Sequence, residues 1–150
     1  MKLCLACSHG GHFNEMMRLS EAFECHDYFF VDHTSEVNNN NKNGYCIKFD
    51  GWNLIGKILL IKVIIKAIYI LLKERPDVII STGAGEIAVP FCYIGKMMGI
   101  KIIYVDTLAR IKTPSGAGKF IYPIADLFLV QWKPLLEKYG KKAKYWGKLI

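Results

Sequence analysis

Short apolar runs alternate along the chain with longer stretches whose apolar positions recur every three to four residues. The short runs predict strands at 3–7, 28–31, 45–49, 78–81, 102–105 and 126–130, with a last one at 144–146. The run at 78–81, Val-Ile-Ile-Ser, is continuously apolar, as a strand covered on both faces should be. The longer stretches predict helices. The first places Met16, Met17, Leu19 and Phe23 on one face; others span 54–72, 87–98 and 134–139. Pro76 stops the second and Gly99 the third. Asn38–Asn41 with Lys42-Asn43-Gly44 reads as a loop, Asp50–Asn53 as a turn, and 107–119 as a polar loop. Strands joined by helical crossovers predict one α/β domain over 1–150: a Rossmann-like, doubly wound parallel sheet.

In such a sheet the ligand lies at the carboxyl ends of the strands, where strand order reverses. Two glycine turns fall there. Ser8-His9-Gly10-Gly11-His12 follows the first strand, and Thr82-Gly83-Ala84-Gly85 follows the fourth. Glycine lets the backbone approach a ligand closely, and a helix start offers unpaired N–H groups to an anion. Asp106 ends the next strand, and Arg110, Lys112 and Lys119 follow it. His12 adds a group that moves a proton near neutral pH. The expected site therefore contains Ser8, Gly10, Gly11, His12, Gly83, Gly85, Asp106, Arg110 and Lys119.

Two other motifs compete. Gly83-Ala84-Gly85 with Asp106 about twenty residues on fits the dinucleotide fingerprint, but on the fourth strand rather than the first. Gly116-Ala117-Gly118-Lys119 imitates the end of a P-loop, yet Thr113 stands where its first glycine belongs and Phe120 where its Ser or Thr belongs.

Charge and hydropathy narrow the partners. Twenty Lys and Arg against 13 Asp and Glu leave a formal charge of +7, which suits a polyanion. Nucleic acid is not expected, since no recognised binding module matches. Mean hydropathy of +0.20 leans toward a membrane surface. In the 54–73 helix, Lys62, Lys66 and Lys73 form one stripe beside a broad apolar arc, and Trp52 precedes it. A spanning helix does not tolerate that stripe cheaply. Such a helix suits either an anionic membrane interface, met by Trp52, Lys62, Lys66 and Lys73, or the core of the domain with a solvated lysine face. Met1–Cys7 is too short for a secretory leader, so a reducing compartment is expected. The Cys4-x-x-Cys7 pair lies within a strand, pointing to opposite faces, and reads as core.

Several segments together resemble one family: Ser8-His9-Gly10-Gly11-His12 with Glu15-Met16, Ser81–Gly85 with Val89-Pro90, Gly95–Gly99, Ile103–Arg110, Gly118–Asp126 and Val130-Gln131-Trp132. They resemble the membrane-anchoring, acceptor-binding subunit of the two-chain UDP-N-acetylglucosamine transferase of N-glycan assembly and its bacterial capsule and exopolysaccharide counterparts. Where that family often has Glu, this chain has Asp106. The resemblance implies the N-terminal, acceptor-side half of a GT-B glycosyltransferase at the cytoplasmic membrane face, held peripherally. It implies a UDP-sugar-binding partner chain, a lipid-linked pyrophosphate sugar as acceptor, and no metal or cofactor beyond the UDP-sugar. His12 and Asp106 are the expected catalytic groups, with Asp106 orienting the imidazole. A non-catalytic membrane scaffold and an NAD(P)-binding protein are the alternatives.

Overall fold

The computed structural model describes residues 1–8, 10–32, 44–47, 54–83 and 85–149, with the backbone alone for 54–59. Among the described residues, seven strands form a single sheet: β1 (Lys2–Ala6), β2 (Asp27–Asp32), β3 (Gly44–Cys46), β4 (Val78–Ser81), β5 (Lys101–Val105), β6 (Leu127–Leu129) and β7 (Ala143–Lys144). Their order is β3-β2-β1-β4-β5-β6-β7, and every neighbouring pair is parallel. Order reverses between β1 and β4, which align Leu3 with Val78 and Ala6 with Ser81. Both glycine turns therefore leave the sheet from adjacent strands at its switch point.

The helices are α1 (Gly11–Met17), α2 (Ser20–Phe23), α3 (Leu54–Glu74), α4 (Gly85–Met97), α5 (Gly116–Ile121) and α6 (Pro134–Tyr139). Strand alternation divides β1 between two cores. Leu3, Leu5 and Cys7 face Met16, Phe23 and Phe30; Cys4 and Ala6 face Val63, Leu71, Phe91 and Cys92. Cys4 and Cys7 thus lie on opposite faces as unbridged core thiols, and burial raises both well above ordinary thiol values.

Two expectations are corrected. The first helix is broken: Arg18 and Leu19 separate α1 from α2, and Met17 turns outward while Met16 and Phe23 are buried. The polar loop ends early, because residues 116–121 are helical. Ser115 caps that helix, accepting a hydrogen bond from Gly118 N at 2.9 Å. Gly118 cannot be another residue without rearrangement, since a Cβ there would lie 2.2 Å from the Tyr139 hydroxyl. The P-loop-like glycines therefore begin a packed helix. The Asn38–Asn41 loop, the Asp50–Asn53 turn and Trp52 lie outside the described residues.

α3 has three faces. Val63, Ala67, Ile70 and Leu71 are buried in the core. Ile61, Ile65, Ile68 and Leu72 form a second apolar stripe, between 41% and 61% exposed. Lys62, Lys66 and Lys73 run beside it, all exposed. The core reading of this helix is met on one face, and a second face bares an apolar stripe. Lys73 differs from the other lysines, since its ammonium stands over the Tyr45 ring, 5.5 Å from the centroid. Among the described residues no helix is long and apolar enough to cross a membrane.

Candidate active site

A polar cavity of about 470 Å³ opens at the switch point, where the turns after β1 and β4 meet the loop after β5. Ser8, Gly11, His12, Gly83, Gly85 and Arg110 all line it. Glu15, Glu86, Thr107 and Ser115 contribute as well. The convergence expected from the strand order is therefore realised for six of the nine expected residues.

The two glycine turns do different things. Gly10 holds φ at +88°, and a Cβ on Gly10 or Gly11 would meet nothing within 4 Å, so that turn faces open space. Gly83, at φ +137°, lies against the imidazole: a Cβ there would fall 2.4 Å from Cε1 of His12. Its bareness makes room for a side chain of the protein rather than for a ligand. The Thr82 hydroxyl donates to the His12 carbonyl at 2.7 Å, locking the two turns together. α1 has only seven residues, so the thirteen-residue α4, beginning at Gly85, supplies the larger dipole.

His12 is 32% exposed along its side chain. Its Nδ1 lies 3.8 Å from Oε2 of Glu15. Neither atom has a hydrogen-bond partner, and both are buried. At that separation the contact is electrostatic rather than a hydrogen bond, and it is an ion pair when the imidazole is protonated. The Glu15 carboxylate raises the imidazole above its ordinary value, with burial working against it. Oε1 of Glu15 is held from the other side, accepting from the Thr107 hydroxyl at 2.8 Å and from Leu108 N at 2.9 Å. Glu15 thus joins the first helix to the loop after β5.

Asp106 does not orient the imidazole. It is fully buried, behind the cavity. Its Oδ2 accepts from the Tyr139 hydroxyl at 2.8 Å and its Oδ1 from Thr107 N at 3.1 Å. Burial raises its pKa, and these hydrogen bonds oppose the rise. The Gln131 amide donates to the Asp106 carbonyl and the Trp132 indole to the Leu108 carbonyl, so this loop is fixed from several sides. A buried, engaged Asp106 cannot meet a ribose either, which removes the carboxylate the dinucleotide fingerprint requires. Gly10 and Lys119 are exposed and do not line the cavity.

Sequence reasoning missed Glu15 as a site residue, and with it Glu86, Thr107 and Ser115 in the lining and Tyr139 behind it. The signal for Glu15 was its spacing: residues three apart on a helix are neighbours.

The family description "Oligosaccharide biosynthesis protein Alg14 like" matches residues 53–149. The chain belongs to this Alg14-like family. Proteins named UDP-N-acetylglucosamine transferase subunit ALG14 are similar to it. That of Debaryomyces hansenii is 44% identical over 85 residues, 53% of this chain and 36% of its own. The Homo sapiens protein is 34% identical over 84 residues, 52% of this chain and 38% of its own. The match thus spans little more than a third of the length of these relatives. Among solved structures, Acinetobacter baumannii MurG superposes with a TM-score of 0.77 at 11% identity, over 97% of this chain and 45% of that one. UDP-GlcNAc 2-epimerase from Methanocaldococcus jannaschii gives 0.73 at 15%, over 99% and 46%. The fold is thus equivalent to one half of a GT-B-like enzyme.

Proposed function

We propose that this chain is the acceptor-side subunit of a two-chain, membrane-associated glycosyltransferase. It binds a lipid-linked pyrophosphate sugar, and a partner chain holds the UDP-sugar. The observation that carries this reading is the His12–Glu15 pair in a polar cavity at the switch point, in a fold that spans half of larger enzymes.

With its Nδ1 proton directed at Glu15, His12 keeps the lone pair on Nε2 for the acceptor hydroxyl. That nitrogen takes the hydroxyl proton as the oxygen attacks the anomeric carbon of the donor. The new glycosidic bond forms as the bond to UDP breaks, and UDP leaves with the electron pair. The open Gly10-Gly11 turn, Ser8, the α4 start at Gly85 and Arg110 suit the pyrophosphate. Glu86, in the same lining, suits sugar hydroxyls, which donate. Lys119 lies outside the cavity, and Asp106 supports the loop rather than the base. The apolar stripe of α3, flanked by Lys62 and Lys66, suits an anionic bilayer face.

The test is reconstitution. The chain is co-expressed with its UDP-sugar-binding partner and assayed for transfer from UDP-N-acetylglucosamine to a lipid-pyrophosphate sugar. His12→Ala is expected to lower kcat about 10²–10⁴-fold. Unchanged kcat removes His12 as the base. Full transfer by the partner without this chain's cavity, for instance with Arg110→Ala and His12→Ala combined, reduces the chain to a scaffold.

A further inference from the structure

A second, wholly different cavity adjoins the polar one. It is an apolar groove of about 520 Å³ between α3, α4 and α5. Leu60 and Ile64 form one wall, Val89, Pro90 and Tyr93 the floor, and Phe120 the other wall. Among the described residues, no charged one lines it. The Tyr93 hydroxyl donates to the Phe120 carbonyl at 2.9 Å, so floor and wall are fixed to one another without a ligand.

The groove and the polar cavity share Gly85, Gly116 and Ala117. Two of these three lack a side chain. A Cβ on Gly116 would meet nothing within 4 Å, and one on Gly85 would touch only the Ala117 methyl at 3.8 Å. The border between the polar and apolar compartments is therefore low and open. Ile64, Tyr93 and Phe120 are all exposed despite being large and apolar. Contiguous exposed apolar surface of this kind marks a contact with a protein, a membrane or a ligand.

We infer that the groove seats the proximal hydrocarbon of the acceptor lipid, whose pyrophosphate lies in the polar cavity. This rests on the acceptor reading above and adds to it a position for the lipid. Continuity of the two compartments selects the occupant, because one amphiphile fills both and neither a pyrophosphate nor a hydrocarbon alone does. The chain would leave the cavity across Gly85 and Gly116, run between α4 and α5, and emerge beside the apolar stripe of α3. The lipid would then be read directly by the protein, and not only through the sugar.

The test uses the full chain in detergent-free buffer, with inorganic pyrophosphate, geranyl diphosphate, farnesyl diphosphate and uncharged farnesol as probes. Affinity is expected to rise from pyrophosphate to the prenyl diphosphates by about tenfold or more. Phe120→Glu and Ile64→Glu, both at exposed positions, are each expected to abolish that gain and leave pyrophosphate affinity unchanged. Met97→Glu, exposed and outside the groove, retains the gain. Equal affinity for pyrophosphate and farnesyl diphosphate overturns the proposal, as does a gain that survives both groove variants. Farnesol binding as tightly as farnesyl diphosphate also overturns it, since the two compartments would then not act together. So does loss of the gain when the partner chain is bound, which would make the groove a protein interface. Failure of the proposed function looks different: the prenyl gain and its loss in the groove variants persist while the reconstituted pair transfers no sugar.

Discussion

His12 is useful only as far as Glu15 and Gly83 allow. Glu15 stabilises the imidazolium, so the folded-state pKa lies above the ordinary imidazole value. A base must be neutral to accept a proton, so transfer is expected to fall as pH drops through that raised value. Glu15→Gln keeps the acceptor oxygen for Thr107 and Leu108 but removes the charge. The acid limb of kcat/KM should therefore move to lower pH, and a limb left in place would disconnect Glu15 from the base. The same linkage has a stability side: the pair's contribution is full below the unfolded-state pKa and is lost as pH rises through the folded one. Gly83→Ala is a steric counterpart. It places a methyl where the ring lies and strains a backbone at φ +137°. A stability loss of about 1–3 kcal/mol in urea unfolding is expected, together with reduced transfer. At this scale the sequence disclosed the histidine but not its carboxylate partner. Asp106 ends a strand at the right edge and looks available, whereas Glu15 looks like an ordinary helix residue. Only packing distinguishes a buried strand-end carboxylate from one beside the ring.

Elements decide how these residues are held, and α3 and α5 contrast in how plainly they could be read. The lysine stripe and apolar arc of α3 were visible from periodicity, but not that the arc divides between core and solvent. That division depends on which face the sheet covers. Replacing Lys62 and Lys66 with Gln should weaken binding to phosphatidylserine vesicles about thirtyfold, since each lysine near the surface contributes about 1 kcal/mol. The difference should shrink at high salt, and vesicle co-sedimentation at two ionic strengths measures both. Equal binding at low salt would leave the bilayer reading of α3 without support. α5 was illegible because Gly-Ala-Gly reads as a breaker, and what makes it a helix is distant: Ser115 caps it, and Tyr139, from α6, packs against Gly118. The Tyr139 hydroxyl also accepts from Ser115 N at 3.0 Å while donating to Asp106. Tyr139→Phe leaves a buried carboxylate oxygen and a backbone N–H without that partner. Its expected cost is about 2–3 kcal/mol of unfolding free energy. A cost under half of that would mean Asp106 finds another donor, or sheds its charge, when Tyr139 is gone.

On the scale of the whole molecule, the alternation of strands and helices was enough to predict seven parallel strands and the sheet edge where the two glycine turns meet one cavity. The switch point follows from β1 pairing with both β2 and β4, which continuous apolar strands permit but do not specify. What one sheet cannot supply is the second side of a cleft. Larger enzymes of this fold run to roughly twice the length, with 45–46% of each matched by this chain. The proposed division of labour between two chains makes a sharp thermodynamic prediction. A ligand at a hundred times its Kd stabilises the chain that binds it by about 2.7 kcal/mol. For a domain of this size that raises Tm by about 5–10 °C. UDP-N-acetylglucosamine should therefore raise the melting temperature of the partner and leave that of this chain where it was. Farnesyl diphosphate should do the reverse. When the two chains are mixed, either ligand should stabilise the complex, because dissociation is then linked to both sites. A UDP-sugar shift in this chain alone would place a donor site on it and end the split, whatever the transfer assay reads.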